Sequence, residues 1–178
     1  METYSPIRPL VDNPRYEQQR EQALSNLDIQ TIDPPIRGVI AGFAKLPYCF
    51  TLQSCYGHFL YEGQSDDRNT EPLPASEGIT TIEYRIAYIA LCIQDSPPGR
   101  ELFDYLSRIP AIDPDYVQWC SSDWFWDQQV NSYALQVEPD RFKAQDTATV
   151  DYREALHIQE VKTRFFRELV KLLQHRLR

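Results

Sequence analysis

Glycine is scarce in this chain, with 6 among 178 residues, and no stretch spells a P-loop, a dinucleotide-binding GxGxxG turn or a Gly-x-Ser-x-Gly elbow. A glycine-rich phosphate cradle therefore has little material. The 4 cysteines, Cys49, Cys55, Cys92 and Cys120, lack the close paired spacing of zinc ribbons and knuckles, so reduced thiols and no metal site are expected. No run of 18 or more apolar residues occurs, and the start METYSPIRPLVDNP has neither an apolar h-region nor a small-residue cleavage site. A cytoplasmic protein away from membranes is the expectation. Positive charge is also in deficit, 18 Lys and Arg against 26 Asp and Glu, a net charge of −8. Such a surface repels phosphate backbones, so nucleic acid is a disfavoured partner. The one basic run, Lys171 to Arg178, suits the carbonyl end of a helix.

Apolar residues are plentiful, at 42%, and a chain of this length fits one core. Residues 1–13 carry two prolines and no apolar period, and read as an N-terminal arm; residues 14–178 read as a single domain. Asn13-Pro14 predicts a mostly exposed helix over 14–28, and Asp33-Pro34-Pro35 predicts a second over 34–46, where Ile36, Val39, Ile40, Phe43 and Leu46 recur at helical spacing. From Tyr48 to Cys55 the period changes to two, which predicts a strand that Phe59 to Tyr61 resume. Residues 63–78 form a polar loop of a length often used for lids or linkers. Residues 80–93 read as one long strand and RELFDYLSRI as a short helix. Two further strands are expected at 115–121 and 131–139. The last 27 residues predict the clearest helix, with Ile158, Val161, Phe165, Leu169, Leu172 and Leu173 as its buried stripe. This order predicts an α+β fold, a largely antiparallel or mixed sheet of about 4–6 strands with packed helices and a long C-terminal helix.

Within that plan one short stretch concentrates chemistry: Ser54-Cys55-Tyr56-Gly57-His58. Gly57 permits positive φ, so the strand can bend there and aim backbone N–H groups at an anion, beside a hydroxyl, a thiol and an imidazole. The bland alternative is a hairpin glycine, a core cysteine and a surface histidine. A second constellation, Asp123-Trp124-Phe125-Trp126-Asp127, offers indoles that either stack on a flat ligand or cap the open end of the sheet. The expected ligand-binding set is Ser54, Cys55, Gly57, His58, Trp124 and Trp126.

The segment from Ile29 to Tyr61 resembles the N-terminal region of the methyltransferases of tRNA wybutosine synthesis, in which an Ile-Asp-x-x-Ile start leads through a helix to a strand ending Thr-Thr-Ser-Ser-Cys-Ser-Gly-Arg. Ile32, Asp33, Ile36, Thr51, Ser54, Cys55 and Gly57 fall in matching places, while Gln53 and Tyr56 replace serines and His58 replaces the arginine. The resemblance implies a ligand turn at 54–58 and S-adenosylmethionine as cofactor, with its amino-acid end on the turn's N–H groups and its adenine on Trp124 or Trp126. It does not imply an RNA substrate for so acidic a chain. Three readings follow: a small-ligand-binding protein with its site at the Ser54–His58 turn, an S-adenosylmethionine-dependent methyltransferase, and a non-catalytic protein-interaction domain.

Overall fold

A computed structural model describes residues 5–75, 78–121, 123–142 and 146–178; of Asp123 and Trp124 it describes the backbone alone. Helix α1 (Tyr16–Asn26) starts two residues after Pro14 and buries only Tyr16. Its Arg20 reaches the carbonyls of Ala44 at 3.0 Å and Leu46 at 3.2 Å, supplying donors where the next helix runs out of them. That helix, α2 (Arg37–Lys45), follows a 3-10 turn at Pro34–Ile36 and buries Val39, Ile40, Gly42 and Phe43. The expected segment 34–46 is thus a 3-10 turn and an α-helix in series.

Strands β1 (Cys49–Cys55), β2 (His58–Leu60), β3 (Thr81–Arg85) and β4 (Ala87–Ile93) form two stretches of one bent ribbon. Cys55 stands opposite Tyr88, and His58 opposite Arg85, so the antiparallel register continues unbroken across the bend. The halves nevertheless belong to different sheets. One has the order β1-β4-β6-β5, using β5 (Val117–Ser121) and β6 (Ser132–Val137); the other has the order β2-β3-β7, using β7 (Thr147–Asp151). All these pairings are antiparallel.

Three expectations change accordingly. The segment 80–93 is two strands that part at Ile86, because a strand serving two sheets must bend between them. The single sheet of about 4–6 strands becomes seven strands in two sheets. And β7, five residues leading into a helix, was not anticipated, since TATVD is too short to display a convincing period.

Helix α3 (Pro97–Leu106) begins three residues before RELFDYLSRI, because Pro97 and Pro98 occupy the turn in which N–H groups have no helical partner. A short helix α4 (Asp123–Trp126) links β5 to β6. Helix α5 (Tyr152–Arg176) is the long C-terminal helix; it packs on α2 and on β3, β6 and β7, so its stripe meets both sheets. The fold is α+β, as the sequence predicts. Asp151 ends β7 and caps α5, its Oδ1 accepting the Glu154 N–H at 2.8 Å. Asp151→Ala is expected to cost about 1 kcal/mol in urea denaturation and Asp151→Ser much less; equal losses would deny the cap.

Ser5 of the arm exchanges backbone hydrogen bonds with Ser121, the last residue of β5, and the arm then runs on to hydrogen bonds with Asn131 and Tyr133. Residues 1–4 of the arm lie outside the described residues. Among the described residues no helix is long and apolar enough to cross a membrane.

Candidate functional site

The bend between the two sheets is the SCYGH turn. Gly57 has φ +85°, and a Cβ there would lie 2.7 Å from the Cβ of Ala87 on the neighbouring strand, so the two legs of the ribbon touch where they change sheet. The bend places the side chain of Cys55, at the end of β1, beside that of His58, at the start of β2. The third member comes from 22 residues upstream of Cys55 in the chain. Asp33 precedes α2 as its Asp-Pro-Pro motif suggests, yet it does not cap the turn it begins. Its Oδ2 accepts the Tyr56 N–H at 2.7 Å and lies 3.3 Å from His58 Nε2. Donor atoms of Asp33, Cys55 and His58 all fall within 4.8 Å of one another.

The groups are held from behind. His58 is 5% exposed, and its Nδ1 lies 2.9 Å from the carbonyl oxygen of Asn69. A carbonyl can only accept, so Nδ1 carries the proton and Nε2 faces Asp33 and Cys55. The Gly57 N–H donates to Cys55 Sγ at 3.4 Å. The loop that supplies Asn69 is anchored: Leu73 is buried and its N–H donates to Gln159 of α5 at 2.7 Å. Positions 76 and 77 of the loop lie outside the described residues.

A fourth ionisable group closes the turn. Lys162 of α5 is 4% exposed; its Nζ donates to the Gly57 carbonyl at 2.8 Å and lies over the rings of Tyr56, at 4.0 Å, and Phe59, at 4.8 Å. Burial pulls its pKa down to about 8, against the raising influence of Cys55 and Asp33. The hydrogen bond to Asp33, and then that to Cys55, push His58 up to about 10 in spite of burial. Reciprocally, the bond to His58 holds the Asp33 carboxyl below its ordinary range. At neutral pH these directions give a carboxylate and an imidazolium.

The anticipated residues fare differently. Cys55, Gly57 and His58 come together. Ser54 is half-buried on β1 opposite Ile89, and strand alternation sends its side chain to the face opposite that of Cys55. Trp126 lies elsewhere: its ring meets Tyr133 edge-on at 5.5 Å and carries the Arg8 guanidinium at 5.1 Å. Tyr133 is three positions along β6 from Gln136, the partner of Tyr88, so roughly 10 Å of strand separates that aromatic cluster from the turn. Trp126 therefore packs in an aromatic cluster apart from the turn. The Trp124 side chain lies outside the described residues.

An S-adenosylmethionine carboxylate at the turn would need free backbone donors, but the Tyr56 and Gly57 N–H groups already serve Asp33 and Cys55. The cradle expected from the sequence is filled by the chain's own carboxylate, and the cofactor does not fit there in the way the resemblance implies.

Asp33 and Lys162 were missed as site residues. Asp33 was placed as a helix-start residue and as a position matching the family resemblance, and neither reading sets it beside His58. Lys162 stands four residues after Ile158 and three before Phe165, inside the buried stripe, and a lysine in that register was the signal. A concavity of about 430 Å³ opens elsewhere, between Tyr105, Arg108 and Ile112 on one side and Arg164 and Arg167 of α5 on the other, and includes no residue of the turn. Scans against protein-family models, curated proteins and solved structures find no match to this chain.

Proposed function

We propose that this is a small-ligand-binding protein whose site is the sheet-crossing turn, with Cys55, His58, Asp33 and Lys162 as its polar groups. The observation behind the reading is convergence. Side chains from the residue before the Pro34–Ile36 turn, the end of β1 and the start of β2 cluster within 4.8 Å, and a lysine from the middle of α5 bonds the same bend through the Gly57 carbonyl, where the fold alone needs only a glycine. Buried titratable clusters with displaced pKa values concentrate at functional sites, since burial of charge is otherwise selected against. A distant relation to the wybutosine-synthesis methyltransferases belongs to the same proposal: the matching positions Asp33, Cys55 and Gly57, dispersed in sequence, adjoin in space.

The test is thermal stabilisation across a panel of small metabolites, S-adenosylmethionine among them, with native mass spectrometry of the freshly purified protein. A ligand at a hundred times its Kd is expected to stabilise by about 2.7 kcal/mol. Cys55→Ala and Lys162→Met should reduce that shift while leaving the ligand-free protein folded. A panel without a shift, together with no co-purified molecule, would refute the reading; a shift with S-adenosylmethionine alone would turn it towards methyl transfer.

A further inference from the structure

We infer that Asp33, Cys55 and His58 form a three-ligand site for a zinc-class divalent ion, with a fourth position left for the small ligand. This rests on the binding reading above and names what the turn holds.

The donor set is one carboxylate oxygen, one thiolate sulfur and one imidazole nitrogen, the mixture that suits zinc and its cobalt analogue better than magnesium or calcium. Spacing agrees. Two ligands about 2.0–2.1 Å from a tetrahedral ion stand about 3.3 Å apart, and His58 Nε2 and Asp33 Oδ2 are 3.3 Å apart. Cys55 Sγ completes a triangle whose sides are all within 4.8 Å, so a modest closure brings it to bonding distance.

More telling is the support behind each ligand. A metal-binding imidazole ordinarily donates its other N–H to a carboxylate or a carbonyl, which fixes the tautomer and aims the free nitrogen. His58 Nδ1 does this with Asn69, leaving Nε2 towards Asp33 and Cys55. Asp33 is held by the Tyr56 N–H and Cys55 by the Gly57 N–H. Every candidate ligand thus has its own outer hydrogen bond, which a histidine buried merely for packing would not require of its neighbours.

Charge agrees as well. A carboxylate and a thiolate neutralise a divalent ion, so the ammonium of Lys162 meets no net repulsion from the loaded site. An ion bound between His58 Nε2 and Asp33 Oδ2 takes the place of the direct 3.3 Å contact between them. Three protein ligands and one open position is the arrangement of zinc sites that bind a water or a substrate, whereas structural sites are closed by four. The sequence spacing argued against metal because no two ligands share a knuckle; the bend supplies the proximity instead.

The experiment is titration of the reduced, chelator-stripped full chain with Co²⁺. The expected result is one ion per chain, a visible ligand-field spectrum of four-coordinate cobalt, and a near-ultraviolet thiolate-to-cobalt band. Cys55→Ala should abolish that band, and Cys49→Ala, at a wholly buried thiol outside the cluster, should keep it. Asp33→Asn is expected to weaken binding by about tenfold or more. Competition with Zn²⁺ should erase the cobalt spectrum. Absence of the thiolate band, or its persistence in Cys55→Ala, would overturn the inference. A metabolite shift seen equally with and without metal would overturn the assignment of the fourth position to the small ligand and leave the small-ligand reading standing, whereas a cobalt spectrum lost in Cys55→Ala supports the metal site even if no metabolite binds.

Discussion

Replacing Gly57 by alanine is expected to destabilise the protein by about 2–4 kcal/mol, against about 1 kcal/mol for the same change at Gly63. The two glycines make a controlled pair. Both have left-handed backbone, φ +85° and +88°, so both substitutions incur the same penalty for an L-residue. Only their surroundings differ. A Cβ at Gly63 meets nothing within 4 Å, whereas at Gly57 it lies 2.7 Å from Ala87 Cβ and 3.0 Å from Ala87 N. Ala87 cannot yield, because it is fully buried and opens β4 opposite Val137. Relief must come from spreading the two legs of the ribbon, which would also draw the Gly57 carbonyl from Lys162 and separate Cys55 from His58. Urea denaturation of the two variants measures the difference. A loss at Gly57 no greater than at Gly63 would mean that the ribbon is not tightly closed at the bend.

That bend marks the limit of what the sequence discloses. Period-two patterning located β1, and β-branched and aromatic content located the 80–93 region, because both signals are local. The break at Ile86 left no comparable trace. TTIEYRIAYIALCI is uniformly β-forming, and its division between sheets follows from which strands lie across from it, information spread from Thr147 to Val137 and beyond. Helices α2 and α5 were legible because an apolar stripe at helical spacing needs no partner to be recognised. The site shows the same split. Cys55, Gly57 and His58 lie within four positions and could be read directly, while Asp33 could be placed as a helix-start residue but not as a neighbour of His58. Its tertiary role displaced its local one: the carboxylate placed to cap the 3-10 turn at Pro34–Ile36 serves the SCYGH turn instead. Trp126 shows the limit of composition, since an aromatic cluster that packs on itself and one that receives a ligand contain the same residues.

Asp33→Ala is expected to cost about 3 kcal/mol at pH 6 in metal-free protein, and the cost should shrink by about 2 kcal/mol between pH 6.5 and 8. Removing the carboxylate leaves an imidazolium buried without its partner and the Tyr56 N–H without its acceptor. The sign of the pH dependence follows from the two shifts. His58 is pushed up to about 10 in the folded state from 6.5, so its contribution is complete below about 6.5 and disappears as pH rises towards 10. Asp33 is shifted the opposite way, so its contribution is present above the ordinary carboxyl value of 3.8 and is lost on further acidification. The pair therefore supports the fold fully between about pH 4 and 6.5. Other groups face it: Cys55 from β1, Lys162 from α5, Arg68 and the Asn69 carbonyl from the loop. Of these, Lys162 acts in the opposite direction, because its folded pKa of about 8 lies below its ordinary 10.5 and its burial penalty is relieved only as pH rises from 8 to 10.5. Wild-type stability should accordingly decline from pH 6.5 to 8 and then level, and in Lys162→Met the decline should continue towards pH 10. The double variant Asp33→Ala/His58→Gln should lose little more than Asp33→Ala alone, since the second change removes the orphaned charge left by the first. Urea denaturation of these proteins at pH 6, 7 and 8 with chelator present tests the account, and an Asp33→Ala deficit that stays constant across that range would show that no charged pair joins β2 to the start of α2.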